Sequence, residues 1–403
     1  MTITKHSSDA EIHQAVSKWL DANWNRAERA PLQSDDQKTA RDWLTRVLEA
    51  GWSVPSWSTD FFGLGLSGRQ SLIIEHAFNE YKAPGAARDR FHLGAITVYK
   101  VGSESLKRAL LRDLLTGPIC CLLYSEPNAG SDLAGVRTRA VRDGDGYIIN
   151  GQKVWTSNAM EAEYGMLLAR TDWDAPKHQG ITFFLFPMKQ PGVEVRPINQ
   201  ITGESEFNEV FITDARVSAA NIIGDVNQGW KAFQTAIAYE RLIMGQGVTA
   251  RRQTGSRVSH PLIRLADRAG KLNDSHVRQK IAQAIAYREL NKLNNDRAKA
   301  EMASGTGLSL MSLSKLAMSR IQHGEAALAT ELLGVEALLD GDQYPDARDA
   351  HFDSAKAYMN SIGGGTDQIQ RNIIAEKVLG LPKEPEHDKG VPFREVRIRA
   401  MDD

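Results

Sequence analysis

Apolar residues recur every three to four positions from residue 8 to about 118, the period of helices with one buried face. In DAEIHQAVSKWLDANW, Ile12, Val16, Trp19 and Leu20 share a face, with Asp9 placed as the cap. RQSLIIEHAFNEYKA and SESLKRALLRDLLTG repeat the pattern, and Gly117-Pro118 stops it. From 119 to about 217 the period shortens to that of strands. The short runs are ICCLLYS, TRAVRDGDGYIING, YGMLLART, ITFFLFPM, VEVRPI and NEVFITDARV. Asp145-Gly146, Asn150-Gly151 and Pro191-Gly192 read as turn pairs between them. From Gly229 the helical period returns in GWKAFQTAIAYERLIMGQGV, DSHVRQKIAQAIAYRELNKLNNDRAKAEM, SLMSLSKLAMSRIQHGEAALATELLG and TDQIQRNIIAEKVLG, enough for a bundle. The pattern predicts three domains: an α-helical one over 1–118, a β barrel or sandwich over 119–228, and a helix bundle over 229–403.

Composition narrows the function. A net charge of −1 supplies no basic field for nucleic acid or an anionic membrane. No apolar run approaches the ~18 residues of a membrane span, and the N-terminus lacks a signal-like apolar core. Cys120 and Cys121 are adjacent, which suits neither a disulfide nor a metal site, so a reducing, cytoplasmic setting is expected and no metal is assigned.

Four segments carry candidate chemistry. FFGLGLSG (61–68) contains G-x-G-x-x-G, but no strand precedes it and no βαβ alternation surrounds it, so it reads as a glycine-rich turn. In YSEPNAGSDLAG (124–135), Ser125 and Ser131 offer hydroxyls, and Ala129-Gly130-Ser131 offers backbone N–H groups to a phosphate or a flavin edge. Taken alone it is equally a polar surface loop. NGQKVWTSN (150–158) places Trp155 beside Thr156 and Ser157, which suits a flat heterocycle or, alone, an ordinary core tryptophan. SIGGGTDQIQRN (361–372) runs three glycines into a helix start, letting backbone approach a ligand closely.

Taken together and in this order, S-E-P-x-A-G-S-D, K-x-W-x-S and G-G-T-x-Q-I-Q-R resemble the acyl-CoA dehydrogenase family over nearly the whole chain. The resemblance implies the acyl-CoA dehydrogenase fold, with an N-terminal α-helical domain, a middle β domain and a C-terminal four-helix bundle. It implies bound FAD, a homotetramer or dimer of dimers, and oxidation of an acyl-CoA to the trans-2-enoyl-CoA, with electrons passing to an electron-transferring flavoprotein. Residues Leu122 to Ser131, Leu122, Tyr124, Ser125, Gly130 and Ser131 among them, would line the flavin. Ser125 would bond its pyrimidine end, and Ser131 would also lie near the CoA portion. Trp155 would cover the ring, Thr156 would belong to the same cofactor-binding set, and Ser157 would donate to N5. Thr366, Asp367 and Gln368 would touch the FAD around its pyrophosphate or ribityl region.

The sequence departs from the commonest family pattern at the catalytic base. Many members carry a glutamate directly before the G-T pair, where this chain has Gly364. The chain is similar instead to the branch with E-R on the first long helix of the bundle, as in isovaleryl-CoA and long-chain dehydrogenases. The resemblance then implies Glu240 as the base. Tyr239, Arg241, Gly364 and Gly365 would contact the substrate, the Gly364 N–H holding the thioester oxygen. A carboxylate shielded from water is a stronger base than one in water, which the weakly acidic α-C–H requires.

The R-x-x-F-G segment that reaches a neighbouring subunit's FAD has no match: RRQTG (251–255) lies too close to Glu240, ADRAGKL lacks the aromatic, and Q-x-x-G-G survives only as ELLGVEA. Divided FAD sites are a feature of heterotetrameric relatives in steroid side-chain catabolism. The alternatives are therefore a catalytically silent partner subunit of a heterotetramer, or a flavin oxidase or monooxygenase on the same fold.

Overall fold

The structure is a computed structural model that describes residues 3–24, 37–250, 260–303, 309–386 and 388–396; at 37, 90–91, 241–250, 299–303 and 309–311 it describes backbone alone. The chain divides into two compact units, one of Met1–Ile198, Glu206–Ile237 and Asp388–Asp403, the other of Asn199–Ser205 and Ala238–His387.

The first unit opens with helices α1 (Asp9–Asn23), α2 (Gln37–Glu49), α3 (Gly68–Tyr81), α4 (Arg88–Phe91), α5 (Leu93–Val101) and α6 (Glu104–Thr116). The cap of α1 is Ser8, not Asp9. The Ser8 hydroxyl accepts from the Glu11 N–H and the Glu11 carboxylate accepts from the Ser8 N–H at 2.7 Å, a capping box. Asp9 already lies in the first turn, where its charge suits the positive helix end. Ile12, Val16 and Leu20 are fully buried against Ile74, Ala77 and Phe78 of α3. Each such side chain contributes about 1.5–3 kcal/mol relative to exposure. Trp19 is partly buried at the edge of this core. Trp24 and Trp43 sit 4.6 Å apart within it, and their indole N–H groups donate to the Tyr81 and Pro84 carbonyls. The glycine-rich 61–68 stretch is a turn that ends at Ser67, the cap of α3.

Seven strands form one sheet: β1 (Cys121–Leu123), β2 (Arg139–Asp143), β3 (Gly146–Ser157), β4 (Tyr164–Arg170), β5 (Ile181–Pro187), β6 (Val193–Pro197) and β7 (Phe207–Ser218). Their order is β1-β4-β2-β3-β7-β6, with β5 also paired to β4. Two of the three expected turns move. The β2–β3 hairpin turns on Gly144-Asp145, with Gly144 at φ +56°, because Asp143 pairs with Gly146. Asn150-Gly151 lies inside β3 at a register shift against β7, and the Asn150 amide bonds Asp214 across the pair. A Cβ on Gly151 would stand 2.5 Å from Thr138 Oγ1, so the glycine serves close packing rather than a turn. Pro191-Gly192 is a turn, with Gly192 at φ +83°.

Helix α7 (Gly229–Ala250) leaves the first unit. Gly229 lets it start close to β5, since a Cβ there would meet the Phe183 nitrogen at 2.5 Å. In the second unit, α8 (Pro261–Arg268), α9 (Ser275–Ala303), α10 (Ser309–Leu333), α11 (Pro345–Ile362) and α12 (Asp367–Ile373) follow. Leu262, Leu265, Val277, Ile281, Leu328 and Leu332 form their core. The apolar period does not by itself mark the short α8 or the separate α11.

Candidate flavin and thioester site

In the first unit, β1 delivers the chain into the 124–131 loop, and a buried ion pair fixes that loop to β3. Lys153 is fully buried. Its ammonium donates to Glu126 Oε1 at 2.8 Å, the Tyr124 carbonyl at 3.1 Å and the Leu168 carbonyl at 2.8 Å, using all three protons. Glu126 also accepts the Arg137 and Thr138 N–H groups at 2.7 and 2.8 Å. Burial alone would raise the Glu126 carboxyl, but the Lys153 ammonium and these donors hold it below its ordinary value. Burial pulls Lys153 below its own ordinary value against the opposing pull of Glu126. The Val154 N–H adds a bond to the Ser125 carbonyl at 3.0 Å. The S-E-P and K-x-W motifs are thus one structural piece.

A second register shift in β3, between Lys153 and Thr156, decides what that piece presents. The bulge puts Lys153 and Val154 both inside, then Trp155 outside, Thr156 inside and Ser157 outside. Trp155 sits at φ +61°, a conformation costing about 1–3 kcal/mol for a non-glycine residue. It is nevertheless 60% exposed, its ring meeting Phe207 edge-on at 6.2 Å. An indole held at a strained backbone with an open face, two residues from an exposed hydroxyl, fits a stacked isoalloxazine ring. Gly130 supports the same fit: a Cβ there would meet no atom within 4 Å, so the chain's own packing does not demand glycine.

The other expected residues of this unit divide by exposure. Ser125 and Leu122 are half-buried, and Gly130 and Ser131 are exposed. Tyr124 is buried, with its ring 4.9 Å from Phe233 and its hydroxyl toward Met166. Thr156 is fully buried and its hydroxyl has no partner among the described residues. Neither side chain is exposed.

Beyond the loop, Arg170 is fully buried. Its guanidinium donates to the Val136, Ala134 and Lys177 carbonyls and lies 3.4 Å from the Phe393 ring centre. Burial lowers it to about 10. Lys177 joins Asp132 (2.6 Å) to Asp388 (3.0 Å). The 388–396 segment is thereby strapped over the chain that continues the loop.

In the second unit, the three glycines follow α11. Gly363 is extended, and Gly364 and Gly365 have φ +64° and +85°. Two successive left-handed residues favour glycine strongly. Thr366 caps α12, its hydroxyl accepting from the Ile369 N–H at 3.1 Å. Asp367 is taken up by Lys315 (3.1 Å) and Ser319 (2.8 Å) of α10, and Gln368 is exposed. Gln370 is fully buried and donates to the Gly364 carbonyl at 3.1 Å. Its Oε1 has no partner among the described residues. A cleft of about 480 Å3 opens between α9, α10 and α12, lined by Asn291, Ser319, Arg320, His323, Asp367 and Arg371 among others.

Helix α7 carries the remaining candidates. Phe233, Ala236 and Glu240 fall at i, i+3 and i+7 on one stripe, and the first two are buried. Glu240 itself is half-buried and has an interaction partner. Burial raises the neighbouring Tyr239 phenol. The side chain of Arg241 and the segment 251–255 lie outside the described residues. The sequence motifs contain Lys153 and Gln370 but give no sign of their structural roles, give Glu126 only a place in the flavin-lining stretch, and leave Arg170 unmarked.

The chain resembles known proteins over most of its length. Family models match the acyl-CoA dehydrogenase middle domain over residues 121–215 and the C-terminal domain over 227–379. IpdE1 of Mycolicibacterium smegmatis, an acyl-CoA dehydrogenase, is 34% identical over 85% of this chain and 88% of its own length. FadE34 of Mycobacterium tuberculosis is 36% identical over 89% of this chain, which spans 48% of that longer relative. The solved structure of the Tcur3481-Tcur3483 steroid ACAD, in a variant form, superposes with a TM-score of 0.72 at 25% identity, covering 93% of this chain and 99% of that one. A helical N-terminal region, a middle β domain and a helical C-terminal region, with these matches, define a flavin-dependent oxidoreductase scaffold. The chain belongs to the acyl-CoA dehydrogenase family, whose members use FAD.

Proposed function

We propose that the chain dehydrogenates an acyl-CoA thioester between its α and β carbons, with Glu240 as the base. The observation that carries the assignment is the pairing of a side-chain-free Gly364 with a half-buried carboxylate on the stripe of α7 that buries Phe233 and Ala236. A general base for a weakly acidic α-C–H must be a carboxylate within reach of that proton, and Glu240 is the one the α7 stripe offers. The Gly364 N–H would donate to the thioester oxygen as negative charge develops there. Two positive-φ glycines keep that backbone bare of side chains. Trp155 and Ser157 would hold the isoalloxazine, the first by stacking and the second by hydrogen bonding. FAD, when bound, supplies the hydride acceptor. Electrons then leave to an electron-transferring flavoprotein.

The name of the structurally similar steroid ACAD supports a steroid or lipid side-chain thioester as the substrate class. Its two-component name, together with the unmatched FAD-contact segment, supports a heterotetramer with a companion chain. The test is acyl-CoA oxidation with ferrocenium or electron-transferring flavoprotein, alone and with companion chains, by wild type and Glu240→Gln. The expected loss of turnover is on the order of a hundredfold or more with FAD content unchanged. Equal turnover in the two proteins removes Glu240 as the base.

A further inference from the structure

The N-terminal helices carry a cluster of metal-ligating side chains that the acyl chemistry leaves unused. Helices α1 and α3 pack through Ile12, Val16, Ile74, Ala77 and Phe78. At the rim of this contact stand His13 on α1 and His76 and Glu80 on α3. The latter two are at i and i+4, the spacing that puts side chains on one helix face. His13 Nε2 lies 3.1 Å from Glu80 Oε2, and His76 Nδ1 lies 3.2 Å from Glu80 Oε1. The ligand atoms of the three residues all lie within 4.8 Å of one another. Tetrahedral zinc with bonds of about 2.1 Å spaces its ligands about 3.4 Å apart, so small side-chain rotations bring the three atoms onto one sphere.

We propose that His13, His76 and Glu80 bind a divalent transition metal of the zinc type. Two imidazole nitrogens and one carboxylate oxygen suit zinc, copper or nickel rather than calcium or magnesium, which prefer all-oxygen sets. His13 is half-buried, while His76 and Glu80 are exposed, so water has access to the remaining coordination position. The backbone of both helices is already fixed by the core beneath, so binding orders only three side chains. The metal ties α1 to α3 across 63 positions of sequence (76 − 13).

The experiment uses the tag-free, FAD-loaded full chain near pH 7.5, titrated with zinc chloride by calorimetry, alongside His13→Ala, His76→Ala and Glu80→Gln. All three positions lie at the rim of the core rather than in it, and circular dichroism confirms that each variant is folded. Wild type is expected to take up one zinc per chain, each variant to bind at least tenfold more weakly, and zinc to raise the melting temperature of wild type alone. Magnesium chloride is expected to give no saturable binding. Binding by the variants as tight as by wild type, absence of one-to-one uptake at micromolar free zinc, or equal uptake of magnesium would each overturn the proposal.

Discussion

Replacing Lys153 by Met isolates the energetic role of the clip beneath the loop. The substitution keeps length and apolar bulk but removes the ammonium. Glu126 is left with the Arg137 and Thr138 N–H donors, and the Tyr124 and Leu168 carbonyls lose their Lys153 bonds. Glu126 is only 9% exposed, so water cannot replace the missing donor. Removing one member of a buried pair costs about 3–5 kcal/mol, largely the penalty on the charge left behind. That is a large share of the ~5–15 kcal/mol that holds a typical domain together. The double variant Lys153→Met, Glu126→Leu leaves no buried charge and is expected to recover most of the loss. Urea unfolding followed by tryptophan fluorescence gives both values.

The pH dependence supplies a second reading of the same pair. The folded carboxyl of Glu126 lies below its ordinary 4.5, so its contribution is fully present above pH 4.5 and is lost as pH falls through the lower folded value. Glu126→Gln should lack that component of the acid transition. A Lys153→Met loss below about 1 kcal/mol, or a double variant less stable than the single, would show that the pair is not what fixes the loop.

Two further outcomes are expected. Burial, helped by the Arg88 charge, holds His92 at about 3 against an ordinary 6.5, so between those values the unfolded chain binds a proton that the folded chain does not. Stability should therefore fall with pH by about 1.4 kcal/mol per unit below 6.5. His92→Asn keeps an acceptor for the Ala95 N–H and should flatten this component; an unchanged slope between pH 6.5 and 5 in urea titrations refutes it. In the glycine loop, Gly365→Ala puts a Cβ at φ +85° and 2.8 Å from Gln370 Nε2, the group that holds the Gly364 carbonyl. A cost of about 1–3 kcal/mol is expected, and a melting temperature within a degree of wild type would argue against a rigid loop.

Much of this protein is written locally. Helices α1, α3 and α6 follow from apolar residues three and four apart, and the seven strands from short β-rich runs between turns. Gly364 in place of the glutamate of many family members, together with Glu240-Arg241 on the first bundle helix, is also legible letter by letter once the family resemblance is in hand. What the sequence does not contain is the partner of each residue. Asn150-Gly151 has turn composition, yet β7 pairs on both sides of it and carries the extra residue of the register shift, so the pair stays within the strand. The phase that turns Trp155 and Ser157 outward depends on one extra residue against β7, which alternation within β3 cannot reveal. Lys153 and Glu126 stand 27 positions apart, and His13 stands 63 from His76. Local pattern reports which face of an element seeks burial, because that preference acts within a few residues. Register, charge pairing and ligand clusters are set by what the fold brings to that face from elsewhere, so only the tertiary structure decides them.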